Sequence, residues 1–289
     1  MAGAPIHIAL TFDDAFWAPA YATMRSICLA SFRREDLVFH LLHMPLEDDH
    51  RRRLDCITDE FPVTVSHVEL AQSPAYARLV AELPVGFWFS RVIYARLLLG
   101  ELIPEAPRLT YLDCDVMVRA PIEEIALADL GGKALAAVND PHRHRAMLGR
   151  DFRANAALFD FRQPYFNSGV LIIDTPAFRK ADLAPLILDL ARSGELAALQ
   201  YDQAVLNLAF GDNWLPLDFR WNLINPEPAH EALEPNIVHY TGPNKPWHLL
   251  SRAAFAQAYR HTMTNDVFYA YWRERQRRRL TAPFRRRRG

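Results

Sequence analysis

A chain of 289 residues, 51% of them hydrophobic, has enough apolar material for one large domain or two small ones. Its formal net charge is −1, no apolar run approaches the roughly 20 residues that span a bilayer, and residues 1–10 lack both an early Lys or Arg and the apolar core of a secretion signal. Three cysteines, Cys28, Cys56 and Cys114, are an odd set at no metal-ligand spacing, which argues against a disulfide framework and for a reducing, cytoplasmic setting.

Ile6-His7-Ile8-Ala9-Leu10 predicts a buried strand that ends at Thr11-Phe12-Asp13-Asp14. Trp17, Tyr21, Met24 and Cys28 then recur at helical spacing, so a helix packs one face back on that strand. Residues 37–42 predict a second strand, residues 46–61 a helix with a polar face, and Val63, Val65 and Val68 a third strand. Such alternation predicts a mostly parallel sheet with helices on both faces. Residues 90–101 read as a further helix stopped by Gly100 and Pro104. Leu109-Thr110-Tyr111-Leu112 is a short strand running straight into Asp113-Cys114-Asp115. Residues 134–138 and 170–173 are further strands, residues 183–192 and 201–210 helices, and Ile237-Val238-His239-Tyr240 a late strand. The His-, Arg- and Asn-rich stretch 141–164 is the expected large loop. With no internal repeat or linker, the economical reading is an α/β domain over residues 1–250 and a helical, basic extension over 251–289.

That extension hides a charge asymmetry. Residues 273–289 carry nine Arg and one Glu, a charge of +8, which leaves −9 for the rest of the chain. Phe268, Tyr269, Tyr271 and Trp272 precede the arginines, and Phe284 sits between their two clusters. Aromatic residues beside cations suit an anionic membrane surface, each basic residue contributing about 1 kcal/mol near the headgroups. A merely solvated charge run is the bland competitor; nucleic acid ranks below both.

In open α/β sheets, ligands bind beyond the carboxyl ends of the strands, where Asp113 and Asp115 are expected to lie. Carboxylates two residues apart on extended chain point to opposite faces, so both reach one ligand only if the chain turns there. Hard oxygens suit Mg²⁺ or Mn²⁺, whose shells are completed by water and substrate phosphates. Asp-x-Asp alone is common by chance. Here, however, it interrupts the apolar run Tyr111-Leu112 … Val116-Met117-Val118, where unpaired charge is costly without a cation. A dehalogenase-like phosphatase motif would place Thr or Val where this chain has Met117, and no Gly-x-Gly-x-x-Gly follows the first strand, which excludes a dinucleotide site. His239, at a strand end, offers a neutral imidazole for the same metal, although alone it reads as a core histidine. Gly242 lets backbone approach a phosphate closely. Lys245 supplies a point charge for a pyrophosphate oxygen.

Together these residues resemble glycosyltransferase family 8, the retaining enzymes that include bacterial lipopolysaccharide galactosyl- and glucosyltransferases and glycogenin. The likeness runs from Ile6 to Trp247 and rests on separated motifs: Leu10-Thr11-Phe12-Asp13-Asp14, Tyr94-Ala95-Arg96-Leu97, Tyr111-Leu112-Asp113-Cys114-Asp115, Tyr165-Phe166-Asn167-Ser168-Gly169-Val170-Leu171, Tyr201-Asp202-Gln203 with Leu206-Asn207, and His239-Tyr240-Thr241-Gly242 with Lys245-Pro246-Trp247. It implies a GT-A-like single domain with a mostly parallel, Rossmann-like sheet. It also implies a UDP-sugar donor held with Mn²⁺ or Mg²⁺ by Asp113, Asp115 and His239. Thr11 and Asp13 would then grip the nucleotide, Arg96 the donor, Asn167, Asp202 and Asp140 the sugar hydroxyls, and Gln203 would lie near the anomeric carbon. One departure is Ala15-Phe16 after Asp13-Asp14, where the family often has Asn-Tyr and so one more amide contact to the nucleotide. The aromatic Gly86-Phe87-Trp88-Phe89 segment reads equally as acceptor site or core packing.

The expected function is therefore transfer of a hexose, galactose or glucose, from a UDP-hexose to a glycan or glycolipid acceptor such as a lipopolysaccharide precursor. The enzyme would be cytoplasmic and peripheral on the inner membrane face through its tail, with no nucleic-acid partner. Another metal-dependent phosphate enzyme, or a non-catalytic sugar-nucleotide binder, is the alternative.

Overall fold

The computed structural model describes residues 3–83, 90–141, 159–160, 162–198 and 201–285, with only the backbone of 201 and 281–285. The aromatic Gly86-Phe87-Trp88-Phe89 segment, most of the 141–164 loop, the Phe284 side chain and the final arginines lie outside the described residues.

The strand predicted at the start forms as β1 (Ile6–Phe12). Its alternate residues divide between two cores: Ile6, Ile8, Leu10 and Phe12 face α1 (Trp17–Ala30), while Ala9 joins Leu42, Leu109 and Tyr111 on the other face. Both faces are covered, and that is why these strands read as continuous apolar runs rather than alternating ones. β2 (Leu37–His43) is followed by α2 (Asp48–Asp55), β3 (Thr64–Glu69) and α3 (Pro74–Ala81). β4 (Arg108–Leu112) and β5 (Val116–Val118) flank the acidic motif, ahead of β6 (Leu135–Asn139) and β7 (Phe166–Asp174). α4 (Leu183–Arg192) and α5 (Tyr201–Phe210) lead to β8 (Trp214–Pro216), β9 (Leu223–Ile224) and β10 (Ile237–His239).

The main sheet has 7 strands in the order β3-β2-β1-β4-β7-β6-β8, and a second sheet of 3 runs β5-β10-β9. In the main sheet only β7 runs against its neighbours. After β1 the chain builds outward through β2 and β3, then returns to pair β4 on the other side of β1. The gap between the carboxyl ends of β1 and β4 is therefore a switch point, the usual ligand crevice of such sheets. The helix expected over 90–101 is mostly a 3-10 helix, Arg91–Leu98. Its three-residue turn stacks Ile93 and Arg96 on one side, toward that crevice.

The C-terminal extension shares the first core. Tyr259 and Met263 of α6 (Ala256–Met263), with Phe268 and Tyr271 of α7 (Asn265–Arg285), belong to the same buried cluster as Trp17 and Met24. Among the described residues no helix is long and apolar enough to cross a membrane. α7 is fastened by polar contacts at its middle. Trp17 Nε1 donates to Glu274 at 3.0 Å, the Tyr271 hydroxyl to the Ala15 carbonyl at 2.9 Å, and Arg278 to Asp14 at 2.7 Å. His50, stacked on Trp17, faces Asp14 with Nδ1 (2.7 Å) and Glu274 with Nε2 (3.1 Å).

Burial alone would lower the His50 pKa, but the hydrogen bonds to Glu274 and Asp14 outweigh it and raise it. A raised histidine pKa contributes stability that is complete below the unfolded value and lost as pH climbs through the folded one. The melting-temperature gap between the wild type and His50→Gln should therefore be full near pH 6, below the unfolded histidine value, and shrink as pH rises above it. Thermal melts across that range check it; a gap that does not change with pH would show that His50 is not charged.

Candidate active site

The two acidic residues converge because the chain changes sheets between β4 and β5. Asp113 follows β4 and stays on the main sheet, its N–H donating to the Gly169 carbonyl of β7 at 2.8 Å. The chain then crosses to the small sheet, where the Asp115 carbonyl accepts from the Tyr240 N–H at 3.0 Å and Val116 pairs with His239. From below, the buried Thr23 hydroxyl lies 3.0 Å from the carbonyls of both Cys114 and Val116, pinning the crossover to α1. The turn expected of an Asp-x-Asp pair is thus a change of sheet. It brings ligand atoms of Asp113, Asp115 and His239 within 4.8 Å of one another.

Neighbours fix what each of these groups presents. The Asn222 amide donates to Asn167 Oδ1 at 2.9 Å, which leaves its own Oδ1 to accept the His239 Nδ1–H at 2.8 Å. His239 Nε2 is then turned toward Asp115 Oδ1 (3.1 Å) and Asp113 Oδ2 (3.6 Å). In the neutral ring three lone-pair acceptors point at one another, an arrangement that calls for a cation. Asp113 Oδ1 is already taken by the Tyr111 hydroxyl and Arg96 Nη2, each at 2.7 Å, so Oδ2 is the free ligand. Space is kept open by Gly169: a Cβ there would lie 2.7 Å from Asp113 Oδ2 and would strike the His239 ring. Two carboxylates and an imidazole around such a cradle fit Mn²⁺ or Mg²⁺. On the far side Lys245 Nζ donates to Asp115 Oδ2 at 2.7 Å and to the Tyr240 carbonyl. Burial works against charge on Asp115, yet His239 in its protonated form and then Lys245 outweigh it and hold the carboxyl far below the usual range.

Beyond the carboxylates lies a second polar network. Arg96, nearly inaccessible, lies over the Tyr111 ring at 4.8 Å and donates to the Ser168 hydroxyl at 2.8 Å. Its Nε is 2.8 Å from Asp202 Oδ2, a charge contact too poorly aligned to be a hydrogen bond. Burial opposes the Arg96 charge, but Asp113 and Asp202 more than restore it. For Asp202 burial prevails over Arg96, and its pKa is raised. Gln203 is held at both ends: its Nε2 donates to Asp140 at 3.0 Å, and its Oε1 accepts from the Asn167 amide and the Ser168 N–H, both at 3.1 Å. Asn207, one turn along α5, accepts from the Phe166 N–H (2.8 Å) and donates to the Phe166 carbonyl (2.9 Å), which ties helix to strand.

Thr11, Asp13, Arg96, Asp113, Asp115, Asn167, Asp202, Gln203, His239 and Lys245 all line one cavity of about 730 Å³, large enough for a nucleotide-sized ligand. Thr11 bonds the Tyr111 hydroxyl at 2.9 Å, and Asp13 accepts from the Ala15 N–H at 3.1 Å. Asp140 is behind the wall and acts on the cavity through Gln203 and Asn167. Gly242 lies on a neighbouring cavity, with its N–H already donated to Asn225 Oδ1 at 2.8 Å. Tyr111, Ser168 and Asn222 were not among the site residues read from the sequence. Tyr111 and Ser168 stood inside the motifs; Asn222 has no local signal, since only the fold brings it to His239.

The family model described as Glycosyl transferase family 8 matches residues 7–251. General stress protein A of Bacillus subtilis (strain 168) is 24% identical over 286 residues, 92% of this chain and 94% of that protein. Glycosyltransferase GlyF of Streptococcus pneumoniae serotype 4 is 25% identical over 253 residues, 84% of this chain, which spans 58% of that protein's length. The crystal structure of galactosyltransferase LgtC in complex with donor and acceptor sugar analogs shares the fold, with a TM-score of 0.72 at 23% identity over 89% of this chain and 95% of that one.

Gly169→Ala places a methyl against Asp113 Oδ2 and the His239 ring. The variant should fold and yet bind Mn²⁺ about tenfold or more weakly, read from the electron paramagnetic resonance signal of free Mn²⁺. Unaltered affinity would show that the ion is held elsewhere.

Proposed function

The chain belongs to glycosyltransferase family 8, and from that premise we propose that it is a metal-dependent, retaining hexosyltransferase that moves galactose or glucose from a UDP-sugar to a glycan acceptor. One observation carries the metal-dependent part: Asp113, Asp115 and His239 turn unshared lone pairs into a single cradle that Gly169 keeps open. Donor and acceptor sugar analogs bound together in the LgtC structure support the two-substrate reading.

Asp113, Asp115 and His239 would hold Mn²⁺ or Mg²⁺. Bound there, the ion would offset the negative charge that grows on the UDP leaving group. Lys245, beside Asp115, adds a second positive charge on the same side. Thr11 and Asp13, at the end of β1, sit where the nucleotide would lie, and Arg96 reaches the donor between Asp113 and Asp202. Asn167 and Asp202 are the hydroxyl readers, and Asp140, behind the wall, positions Asn167 and Gln203. Gln203 is pinned through both its amide atoms and would set its oxygen near the anomeric carbon. A carboxamide is a poor nucleophile, which favours attack by the acceptor hydroxyl from the face that UDP leaves. The bond from the anomeric carbon to the phosphate oxygen breaks and the new glycosidic bond forms on the same side. The hydroxyl proton passes to the departing phosphate, and configuration is retained.

A lipopolysaccharide or other surface-glycan precursor at the inner membrane face is the acceptor class we favour. The basic tail would meet the anionic membrane surface there, with the protein otherwise cytoplasmic. UDP release from UDP-galactose and UDP-glucose, with Mn²⁺ or Mg²⁺ added, tests the transferase. Asp113→Ala and Asp115→Ala should each lower it about a hundredfold or more while keeping a folded melt, and excess chelator should do the same to the wild type. Full turnover with chelator present sinks the metal role; inorganic phosphate released from a simple phosphomonoester would point to a phosphatase instead.

A further inference from the structure

We propose that Leu249 and Leu250, together with Arg275 and Arg279 of α7, form a docking face for an anionic lipid surface beside the mouth of the active-site cavity. This rests on the membrane-acceptor reading above and names the surface that makes contact.

Leu250 is 89% exposed and its neighbour Leu249 47%. A lone exposed leucine means little, so the setting of the pair decides. Trp247, just before them, is buried and meets Phe16 edge-on at 5.8 Å. The His248 N–H donates to the Lys245 carbonyl and the Ser251 N–H to the His248 carbonyl, at 3.3 and 3.1 Å. Two successive turns therefore hold the leucines out as a short finger on a fixed base. The base is bolted to α7, because His248 Nε2 accepts from Arg275 Nη2 at 3.1 Å. Burial first, then Arg275, Arg279 and Lys245, depress the His248 pKa, in keeping with its role as acceptor from Arg275. Arg275 and Arg279, one helical turn apart, share this side of α7. Arg278 turns instead to Asp14 and Glu274.

Two aliphatic side chains projecting beside two guanidinium groups match an anionic bilayer interface. The leucines enter the acyl boundary while the arginines meet headgroup phosphates. A polynucleotide would use the cations and leave the leucines in water. Phe16 both packs on Trp247 and lines the cavity, so a protein seated on this face would hold its substrate opening next to the lipid surface.

The full chain is sedimented with vesicles of phosphatidylcholine, neutral or with about one third phosphatidylglycerol. The wild type should bind the anionic vesicles selectively. Leu249→Ser/Leu250→Ser should bind them about tenfold or more weakly, with UDP-sugar hydrolysis in solution unchanged. A chain ending at residue 280, which keeps Glu274 and Arg278, measures what the tail alone adds. Equal binding by the leucine variant, or loss of binding only on truncation, overturns the face. So does a wild type that ignores vesicles, or that binds RNA in preference to them. Missing UDP release in every protein would instead fault the transferase reading, and the vesicle result would still judge the surface.

Discussion

Everything at this site depends on one strand crossing. The chain leaves the main sheet after Leu112 and enters the small sheet at Val116, so the residues between belong to neither. Asp113 takes its backbone partner from β7 and Asp115 from Tyr240, just after β10. That crossing turns two carboxylates inward on a buried stretch. Charge placed there without compensation is prohibitively costly. His239 arrives opposite Val116 by strand pairing, so the imidazole is set by the same small sheet that bends the pair.

Two cations and an imidazole alternate with the carboxylates. Lys245, Asp115, His239, Asp113, Arg96 and Asp202 form a chain of contacts between 2.7 and 3.6 Å. Paired buried charges need not stabilise a fold, because desolvation offsets attraction. Their value here is orientation. Tyr111 and Arg96 occupy one oxygen of Asp113, Lys245 occupies one oxygen of Asp115, and the remaining oxygens are aimed at His239. The polar network thus decides which lone pairs remain available. Substrate and ion would complete a set already aligned, the condition under which electrostatic catalysis avoids reorganisation.

Much of this was legible in the sequence, because apolar runs and motif spacing are local. The apolar runs 6–10 and 109–112 announced the two strands, Ile6–Phe12 and Arg108–Leu112, whose ends flank the crevice. His239 was legible only through its motif, since an apolar strand end fits a core histidine equally well. Asn222 was not legible: its tautomer-setting bond to His239 spans a loop, a two-residue strand and a turn of irregular chain. Nor did composition reveal that Glu274, the one acid in a basic tail, accepts from Trp17 and faces His50. The charge count treated the tail as one unit. The helix divides it, with Arg278 turned inward to Asp14 and Arg275 turned toward His248.

The reversed direction of β7 was also hidden, and it matters most for the cavity wall. In a purely parallel sheet only strand ends reach the ligand crevice. Because β7 runs the other way, its beginning lies there, and Asn167, Ser168 and Gly169 enter the site in succession. The pairing with β6 slips between Ala137 and Val138, so Leu171 and then Asn167 oppose consecutive residues. Such a bulge frees intervening residues from the ladder and re-aims their side chains. Ser168 is thereby released to bond Arg96, while Gly169 still pairs backbone with Asp113. One irregular strand start thus supplies an amide that lines the cavity, an anchor for the arginine and the open floor beneath Asp113 and His239. A regular strand, with alternating side chains, would put neighbours on opposite faces and lose one of the three.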